Sequence, residues 1–258
     1  MSALYHESFG SSEKPALVLL HGWGMSSAIW SPLLPKLSES FYVTVIDLPG
    51  LGRSEGCDDI TLESMACQVE AVVDRPAAWL GWSLGGMVAM QVAALFPEKV
   101  AALISVASNP CFVQKDGWSS GMTPVIYRQF KAALEISPEK MLSRFAMLQI
   151  QGGEAAKAIL KQIKIVLAES TPSHLVATLA LLENDLRVPL SRLNCPVLHI
   201  YGEADGLVPI STLSAVSALN PEHQTSCFKG AGHLPFLSSP DAFLETVQTF
   251  IHTLSSHE

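Results

Sequence analysis

The sequence predicts an α/β fold, in which a mainly parallel sheet carries helices on both faces. Short apolar segments typical of buried strands recur along the chain, and helical patterns lie between most of them. The length of 258 residues and the hydrophobic content of 48% are sufficient for one large core. The predicted strands are residues 16–20, 42–46, 79–80, 103–107, 197–201 and 225–228.

The strand pattern stops between about residues 111 and 189, where helical patterns take over. Ser137-Pro138-Glu139 is typical of a helix start. The apolar residues that follow on one helical face are Met141, Leu142, Phe145 and Leu148. We therefore expect residues 1–110 and 190–258 to form the core, with 111–189 inserted as a helical lid.

Composition narrows the possible partners and location. A net charge of −8 argues against nucleic acid as a partner, because a phosphate-binding surface needs a positive field. No segment approaches the roughly 20 apolar residues of a membrane span, and the N-terminus lacks a basic, apolar leader. Five scattered cysteines without metal-ligand spacing indicate reduced thiols. We expect a cytoplasmic protein that does not associate with membranes.

Basic residues concentrate in the expected lid. Between Arg128 and Lys164 there are seven basic and three acidic residues, a net +4 that leaves −12 for the rest of the chain. One predicted helix places Lys157, Lys161 and Lys164 on a different face from its apolar residues, roughly 130° around the helix. This lysine face is either a solvated surface or a docking surface for an acidic partner.

The segment Gly81-Trp82-Ser83-Leu84-Gly85 is typical of a nucleophile elbow. Such an elbow is a sharp turn between a strand and a helix that exposes a serine hydroxyl. An apolar strand pattern precedes the segment and a helical pattern follows it, ending at Phe96-Pro97. The glycines on either side allow neighbouring backbone to pass closely. Ser83 is therefore the candidate nucleophile.

A serine hydroxyl needs a base to take its proton and an acid to orient that base. In folds with this elbow the acid and then the histidine follow the serine along the chain. His233 lies in a glycine-rich turn after the last predicted strand. Asp205 follows the preceding strand and is the candidate acid, with Glu203 as the alternative nearer the strand end. The other seven histidines lie near the termini, in the lid, in strands or in less suitable turns.

His21-Gly22-Trp23-Gly24 follows the first predicted strand and can supply a backbone donor for an oxyanion. We expect the N–H groups of Trp23 and Leu84 to be the two donors. His21 is interpreted as structural. The glycine-rich segment 47–54 lacks the ending of a phosphate loop and is interpreted as scaffold. No cofactor and no metal are predicted.

Six segments together carry a resemblance to a known family. They begin with His21-Gly-Trp-Gly, Asp47-Leu-Pro-Gly-Leu-Gly-Arg-Ser and Gly81-Trp-Ser-Leu-Gly-Gly, and end with Ala107-Ser-Asn-Pro-Cys-Phe, Tyr201-Gly-Glu-Ala-Asp-Gly-Leu-Val-Pro and Gly232-His-Leu-Pro-Phe. With these, the chain resembles the pimeloyl-[acyl-carrier protein] methyl ester esterases of biotin synthesis, within the α/β-hydrolases. The resemblance spans most of the chain and is weakest in the lid and at the two ends.

The resemblance implies roles for matching residues. Ser83, Asp205 and His233 would be catalytic, with Trp23 and Leu84 at the substrate carbonyl. The lid stretch that would contact the acyl chain is Phe145, Ala146, Met147, Leu148 and Gln149. The cations that would bind the acidic carrier protein are Lys140, Arg144, Lys157 and Lys161. Three of these four are lysine where arginine is usual in the family, which keeps the charge but loses bidentate geometry.

The expected reaction is therefore hydrolysis of a pimeloyl methyl ester carried by acyl carrier protein, through an acyl-enzyme on Ser83. One alternative is a broad-specificity carboxylesterase acting on short-chain esters, which would share every catalytic residue. Another is a binding or signalling module that keeps the pocket without turnover. The sequence does not fix the oligomeric state, and a monomer is the simplest expectation.

Overall fold

A seven-stranded sheet forms the centre of the structure, a computed structural model that describes residues 4–56, 59–151, 155–169 and 174–255. The strand order is β1-β3-β2-β4-β5-β6-β7. Only β1 runs antiparallel, against β3, and the other neighbours in this sheet are parallel. The predicted α/β class is confirmed. The strands are β1 His6–Phe9, β2 Ala16–Leu20, β3 Tyr42–Ile46, β4 Ala77–Trp82, β5 Val100–Val106, β6 Val197–Gly202 and β7 Gln224–Phe228.

Helices cover both faces of the sheet. On one face α2, α3, α8 and α9 pack against alternate strand residues such as Val18 and Leu20, and on the other α1 and α11 pack against Leu17 and Leu19. The helices are α1 Leu34–Ser40, α2 Leu62–Glu70, α3 Leu84–Leu95, α4 Pro124–Ile136, α5 Pro138–Ile150, α6 Ala156–Glu169, α7 Leu175–Ala180, α8 Arg187–Ser191, α9 Ser211–Leu219, α10 Pro235–Ser238 and α11 Pro240–Ser255.

The strand bounds differ from expectation by one residue in β6 and β7 and by more in β4 and β5, and β1 is an additional strand. β4 extends beyond residues 79–80 at both ends, because all six of its residues are buried. β5 begins earlier than expected and ends before Ala107, whose φ of 44° does not fit a strand. β1 was not predicted, because it is a short edge strand whose sequence His-Glu-Ser-Phe is mostly polar and exposed.

Helices α4 to α7 lie between β5 and β6 within residues 111–189, where the lid was expected, whereas α8 ends at Ser191, two residues beyond that range. The predicted helix start is confirmed, since α5 begins at Pro138. In α6 the side chains of Ile159, Ile163 and Val166 are buried, and the three lysines of the lysine face are exposed. The N–H of Leu186 donates to the carbonyl of Pro110 at 2.8 Å, so this segment leaves and rejoins the core at neighbouring points.

Within the described ranges, no helix is long and apolar enough to cross a membrane.

Candidate active site

Ser83 lies in the turn between β4 and α3, with φ 56° and ψ −118°. A non-glycine residue in this region of φ is strained, which is typical of a nucleophile elbow. The turn is anchored to the neighbouring strand, because the Ser83 N–H donates to the Val106 carbonyl at 2.9 Å. Gly85 allows α3 to approach β2, since a Cβ there would lie 2.5 Å from the Leu20 carbonyl oxygen. The elbow predicted from the sequence is present.

A second hydroxyl holds the elbow from the side of β5. The buried Ser108 Oγ donates to the Ser83 carbonyl at 2.6 Å, and the Gly86 N–H donates to the same oxygen at 3.0 Å. Sequence reasoning missed Ser108, although its position just after a strand that neighbours the elbow was a usable indication. Ser108 fixes the nucleophile's backbone and does not itself offer a nucleophile, because its proton is engaged.

Asp205 and His233 form a buried pair, with Asp205 Oδ2 at 2.8 Å from His233 Nδ1. The other carboxylate oxygen of Asp205 accepts the N–H groups of Leu207 and Val208 at 2.8 and 3.0 Å. This fixes the carboxylate, so Nδ1 carries the proton and Nε2 is the free lone pair. Glu203, the alternative acid, instead accepts the Gly230 N–H at 3.1 Å.

Trp82 and Gln149 hold the backbone of His233 on both sides. The Trp82 indole N–H donates to the His233 carbonyl at 2.8 Å, and the His233 N–H donates to the Gln149 carbonyl at 3.2 Å. The Trp82 and His233 rings lie 5.6 Å apart. Because Trp82 directly precedes Ser83, these contacts bring the imidazole beside the elbow. His233 Nε2 is buried and makes no hydrogen bond within the described residues, Ser83 included.

The loop after β2 lies against the elbow, since a Cβ on Gly22 would be 3.2 Å from Ser83 Cβ. Trp23 and Leu84 are fully buried, yet neither N–H donates to an acceptor in the part of the chain that the structure describes. Buried N–H groups are almost always paired. Two unpaired donors flanking a strained serine match what an oxyanion needs.

The loop of residues 21–24 after β2 is called the oxyanion loop here. His21 shapes this loop and is not positioned as a base. Its Nε2 accepts the Leu48 N–H at 2.9 Å, and its Nδ1 donates to the Gly22 carbonyl at 2.8 Å. Burial lowers the pKa of His21, so the ring is neutral. Asp47 in the scaffold segment 47–54 accepts the Ser27 N–H at 2.6 Å and pairs with Arg53 at 3.0 Å. Both residues are structural, as the sequence suggested.

Two other histidines pair with each other. His199 lies in β6 and His223 just before β7, with His199 Nε2 at 3.3 Å from His223 Nδ1. Burial, reinforced by the neighbouring His223, lowers the pKa of His199 to about 3, and burial also lowers the pKa of His223. His257 lies outside the described residues.

Helices α4 and α5 cover the site. The ring of Phe145 lies 5.1 Å from that of Trp23, edge-on, and Phe130 of α4 lies 5.6 Å from the same ring. In the expected acyl-contact stretch Phe145, Ala146 and Gln149 are buried and Leu148 is half-buried. Met147 is 53% exposed and lies on the outer face of α5, because it is two residues from Phe145 along a helix. Ser83, Asp205 and His233 are 6%, 8% and 1% exposed, so the site is closed to solvent.

The four expected carrier-binding cations lie on the outer surface of α5 and α6. All are exposed: Lys140, Arg144, Lys157 and Lys161. A cavity of about 290 Å³ opens between α4 and α5, with Arg144 at its rim and Phe130 in its wall. Phe130 lines this cavity and also packs against Trp23. The aromatic cluster of Trp23, Phe130 and Phe145 therefore separates the surface cavity from the oxyanion loop.

A family model described as the alpha/beta hydrolase fold matches residues 15–240. Among solved structures, a bromoperoxidase from Bacillus anthracis superposes with a TM-score of 0.88 at 18% identity, covering 97% of this chain and 96% of that one. At this identity the superposition shows the fold alone. The chain belongs to the α/β-hydrolase fold family.

Relatives of higher sequence identity define the chain's place within this fold family more narrowly. A pimeloyl-[acyl-carrier protein] methyl ester esterase from Serratia marcescens is 41% identical, covering 97% of this chain and 99% of its own. The protein of the same name from Proteus mirabilis (strain HI4320) is 40% identical, covering 99% of both chains. Within the α/β hydrolases, this chain belongs with these pimeloyl-[acyl-carrier protein] methyl ester esterases.

Proposed function

We propose that this protein is a serine esterase that hydrolyses the methyl ester of a pimeloyl chain attached to acyl carrier protein. The observation that carries the proposal is the Asp205–His233 pair, held by Trp82 beside a strained Ser83. The names of the relatives supply the substrate, because a triad on this fold does not define the reaction by itself.

In the first half-reaction Ser83 Oγ attacks the ester carbonyl while His233 Nε2 takes its proton. Negative charge develops on the carbonyl oxygen, where the N–H groups of Trp23 and Leu84 receive it. Asp205 remains ionised, keeps the imidazole in one tautomer and stabilises the imidazolium that forms. Collapse of the intermediate expels methanol, whose oxygen receives the proton from His233 Nε2. The acyl chain is then esterified to Ser83.

In the second half-reaction water replaces methanol. His233 Nε2 takes a proton from this water as its oxygen attacks the acyl carbon. The Ser83 Oγ–carbon bond then breaks and the proton returns to Ser83. The products are a pimeloyl chain with a free terminal carboxylate, still attached to its carrier, and the regenerated enzyme.

The carrier protein is proposed to dock on the basic outer surface of α5 and α6. Arg144, Lys157 and Lys161 are exposed there on a chain that is otherwise acidic, so the surface can attract an acidic partner. The cavity rimmed by Arg144 leads inward to Phe130, which supports a route for the acyl chain between α4 and α5. Because the catalytic residues are buried, these helices must move for the ester to reach Ser83.

A cytoplasmic location accompanies the proposal. It is supported by free thiols on the described cysteines, namely Cys67, Cys111, Cys195 and Cys227. Cys57 lies outside the described residues.

Charge reversal tests whether the carrier-bound ester is the dedicated substrate. In Arg144→Glu/Lys157→Glu, kcat/KM for the carrier-bound methyl ester should fall at least about tenfold, because rim charges mainly set association rate and its salt dependence. Hydrolysis of a short p-nitrophenyl ester should be unchanged. Lys36→Glu, an exposed lysine on α1, is the control. Equal rates on the carrier-bound ester would favour the broad-specificity carboxylesterase.

Ser83→Ala tests the chemistry itself. This variant should lose hydrolysis of both esters and labelling by a fluorophosphonate, because none of the other residues that the structure describes is placed to replace the nucleophile. In a biotin-requiring strain that lacks this esterase, the wild type should restore growth and Ser83→Ala should not. Retention of turnover by the variant would contradict the proposal, and an unlabelled wild type would favour a binding module.

A further inference from the structure

Gln149 has a buried side chain with no hydrogen-bond partner. It is 0% exposed, and neither its Oε1 nor its Nε2 bonds to any atom of the described residues. An amide that is removed from water without compensation destabilises a fold, and most buried amides are paired. The Gln149 amide is therefore available to hydrogen-bond a ligand or a water.

Gln149 lies on the face of α5 that borders the active site. Phe145 lies one helical turn earlier on the same face and packs on Trp23 of the oxyanion loop. The backbone carbonyl of Gln149 accepts the N–H of His233 at 3.2 Å. This face of α5 thus extends from Trp23, on the oxyanion side of the site, to His233, on the side of the base. Gln149 lies at the His233 end.

The imidazole of His233 is a second buried group on this side with an unpaired atom, its Nε2. During ester hydrolysis the alcohol leaves from the position next to this atom, and the attacking water enters there. Gln149 and His233 are joined by one backbone hydrogen bond, and each carries an unpaired polar group in its side chain. These two groups are suited to bind a single water molecule between them.

We propose that the Gln149 amide positions the water that hydrolyses the acyl-enzyme. This role rests on the proposed serine esterase mechanism. Oε1 accepts one hydrogen of the water, and His233 Nε2 accepts the other. As the water oxygen bonds to the acyl carbon, its proton passes to His233 and then to Ser83 Oγ as that ester bond breaks. Gln149 keeps its own protons throughout.

Competition between water and methanol for the acyl-enzyme distinguishes this role of Gln149 from a merely structural one. Water has two hydrogens, one for His233 and one for Gln149, whereas methanol has only the hydrogen that His233 takes. Loss of the Gln149 acceptor should therefore slow attack by water more than attack by methanol. The ratio of the two products formed from one acyl-enzyme reports this difference directly.

The test is Gln149→Met, which keeps the length of the side chain and removes both amide atoms. With p-nitrophenyl acetate as the probe, deacylation should slow about ten- to a hundredfold, the range of one lost hydrogen bond to a reacting group. A burst of about one p-nitrophenol per enzyme should then precede the slow steady state. In added methanol, the ratio of methyl acetate to acetate should rise about tenfold over that of the wild type.

Gln151→Met is the matched control, since Gln151 is exposed at the end of the same helix. It should show neither the burst nor the changed product ratio. The thermal midpoint of Gln149→Met should stay level or rise, because an unpaired buried amide is replaced by an apolar group of similar shape.

Slower turnover of Gln149→Met without a burst and with an unchanged product ratio would overturn the proposal, as would unchanged kinetics. Failure of the underlying esterase mechanism is a different result: Ser83→Ala would then retain turnover, whatever Gln149→Met does.

Discussion

Trp82 connects two parts of the site that are far apart in sequence. Its indole N–H holds the carbonyl of His233, and its own backbone leads directly into Ser83. A tryptophan at this position therefore positions the base relative to the nucleophile. It does so through the backbone, which leaves both ring nitrogens of His233 available for Asp205 and for the reaction.

Trp82→Phe should lower kcat for a small ester about five- to tenfold with little change in KM, because a hydrogen bond worth about 1 kcal/mol no longer orients the base. Steady-state kinetics with a p-nitrophenyl ester measure this. Trp79→Phe is the control, since the Trp79 indole makes the same kind of bond to the Lys99 carbonyl at 3.1 Å, elsewhere on β4. A similar fall in kcat in both variants would mean that Trp82 matters only for folding.

At the residue scale the sequence predicted Ser83, Asp205 and His233 as candidates, because each follows a strand in a glycine-rich or polar turn. The structure brings the last two into contact, and the Trp82–His233 ring contact puts the imidazole near the turn that carries the first. Ser108 and the N–H of Trp82 were not predicted as site groups. Their contacts span 25 and 151 positions of sequence, so the position of Ser108 after a strand was only an indication, and the partner of the Trp82 indole was not predictable locally.

At the scale of elements, the approach of α3 to β2 is set by one glycine. Any side chain at Gly85 would meet the backbone carbonyls of Leu20 and His21, at 2.5 and 2.6 Å from a Cβ. Backbone atoms of a central strand cannot move away cheaply, because both neighbours of β2 are hydrogen-bonded to it.

Gly85→Ala should lower the free energy of unfolding by about 3 kcal/mol or more, the upper range for overpacked cores. Gly206→Ala should change it by less than about 0.5 kcal/mol, because a Cβ there meets nothing within 4 Å. Urea unfolding followed by circular dichroism measures both. A stable Gly85→Ala protein would show that the elbow can relax away from β2.

The sequence predicted six of the seven strands and the starts of α3 and α5, because apolar runs and proline or glycine boundaries are local features. It missed β1, whose pairing with β3 is determined by the edge of the sheet and not by hydrophobicity. The outward position of Met147 follows from the helical period, because Met147 lies off the face that Phe145 shares with Leu148, although the resemblance grouped all three as acyl contacts.

At the scale of the whole molecule, buried histidines couple stability to pH. Burial lowers the pKa values of His21, His199 and His223, that of His199 to about 3. These rings bind a proton less readily in the folded chain than in the unfolded chain, where histidine is protonated below about pH 6.5. The stabilisation is therefore fully present above pH 6.5 and is lost as the pH falls from there towards 3.

His199 alone should make the protein about 2 kcal/mol less stable at pH 5 than at pH 8. Urea unfolding at the two pH values measures the difference. His199→Gln should reduce it, and His6→Gln, at an exposed position, should leave it unchanged. An equal pH dependence in wild type and His199→Gln would show that His199 is not the residue responsible.

The hydrogen bond between Pro110 and Leu186 also has an evolutionary consequence. Since the chain departs from the core and returns to it across one 2.8 Å contact, the intervening stretch acts as a replaceable cassette. Exchanges there leave Ser83, Asp205 and His233 in place in the core, but they must keep a carbonyl where that of Gln149 accepts the His233 N–H. New acyl donors can thus be explored by grafting foreign segments at this junction, provided that each graft restores the contacts of Gln149 and Phe145.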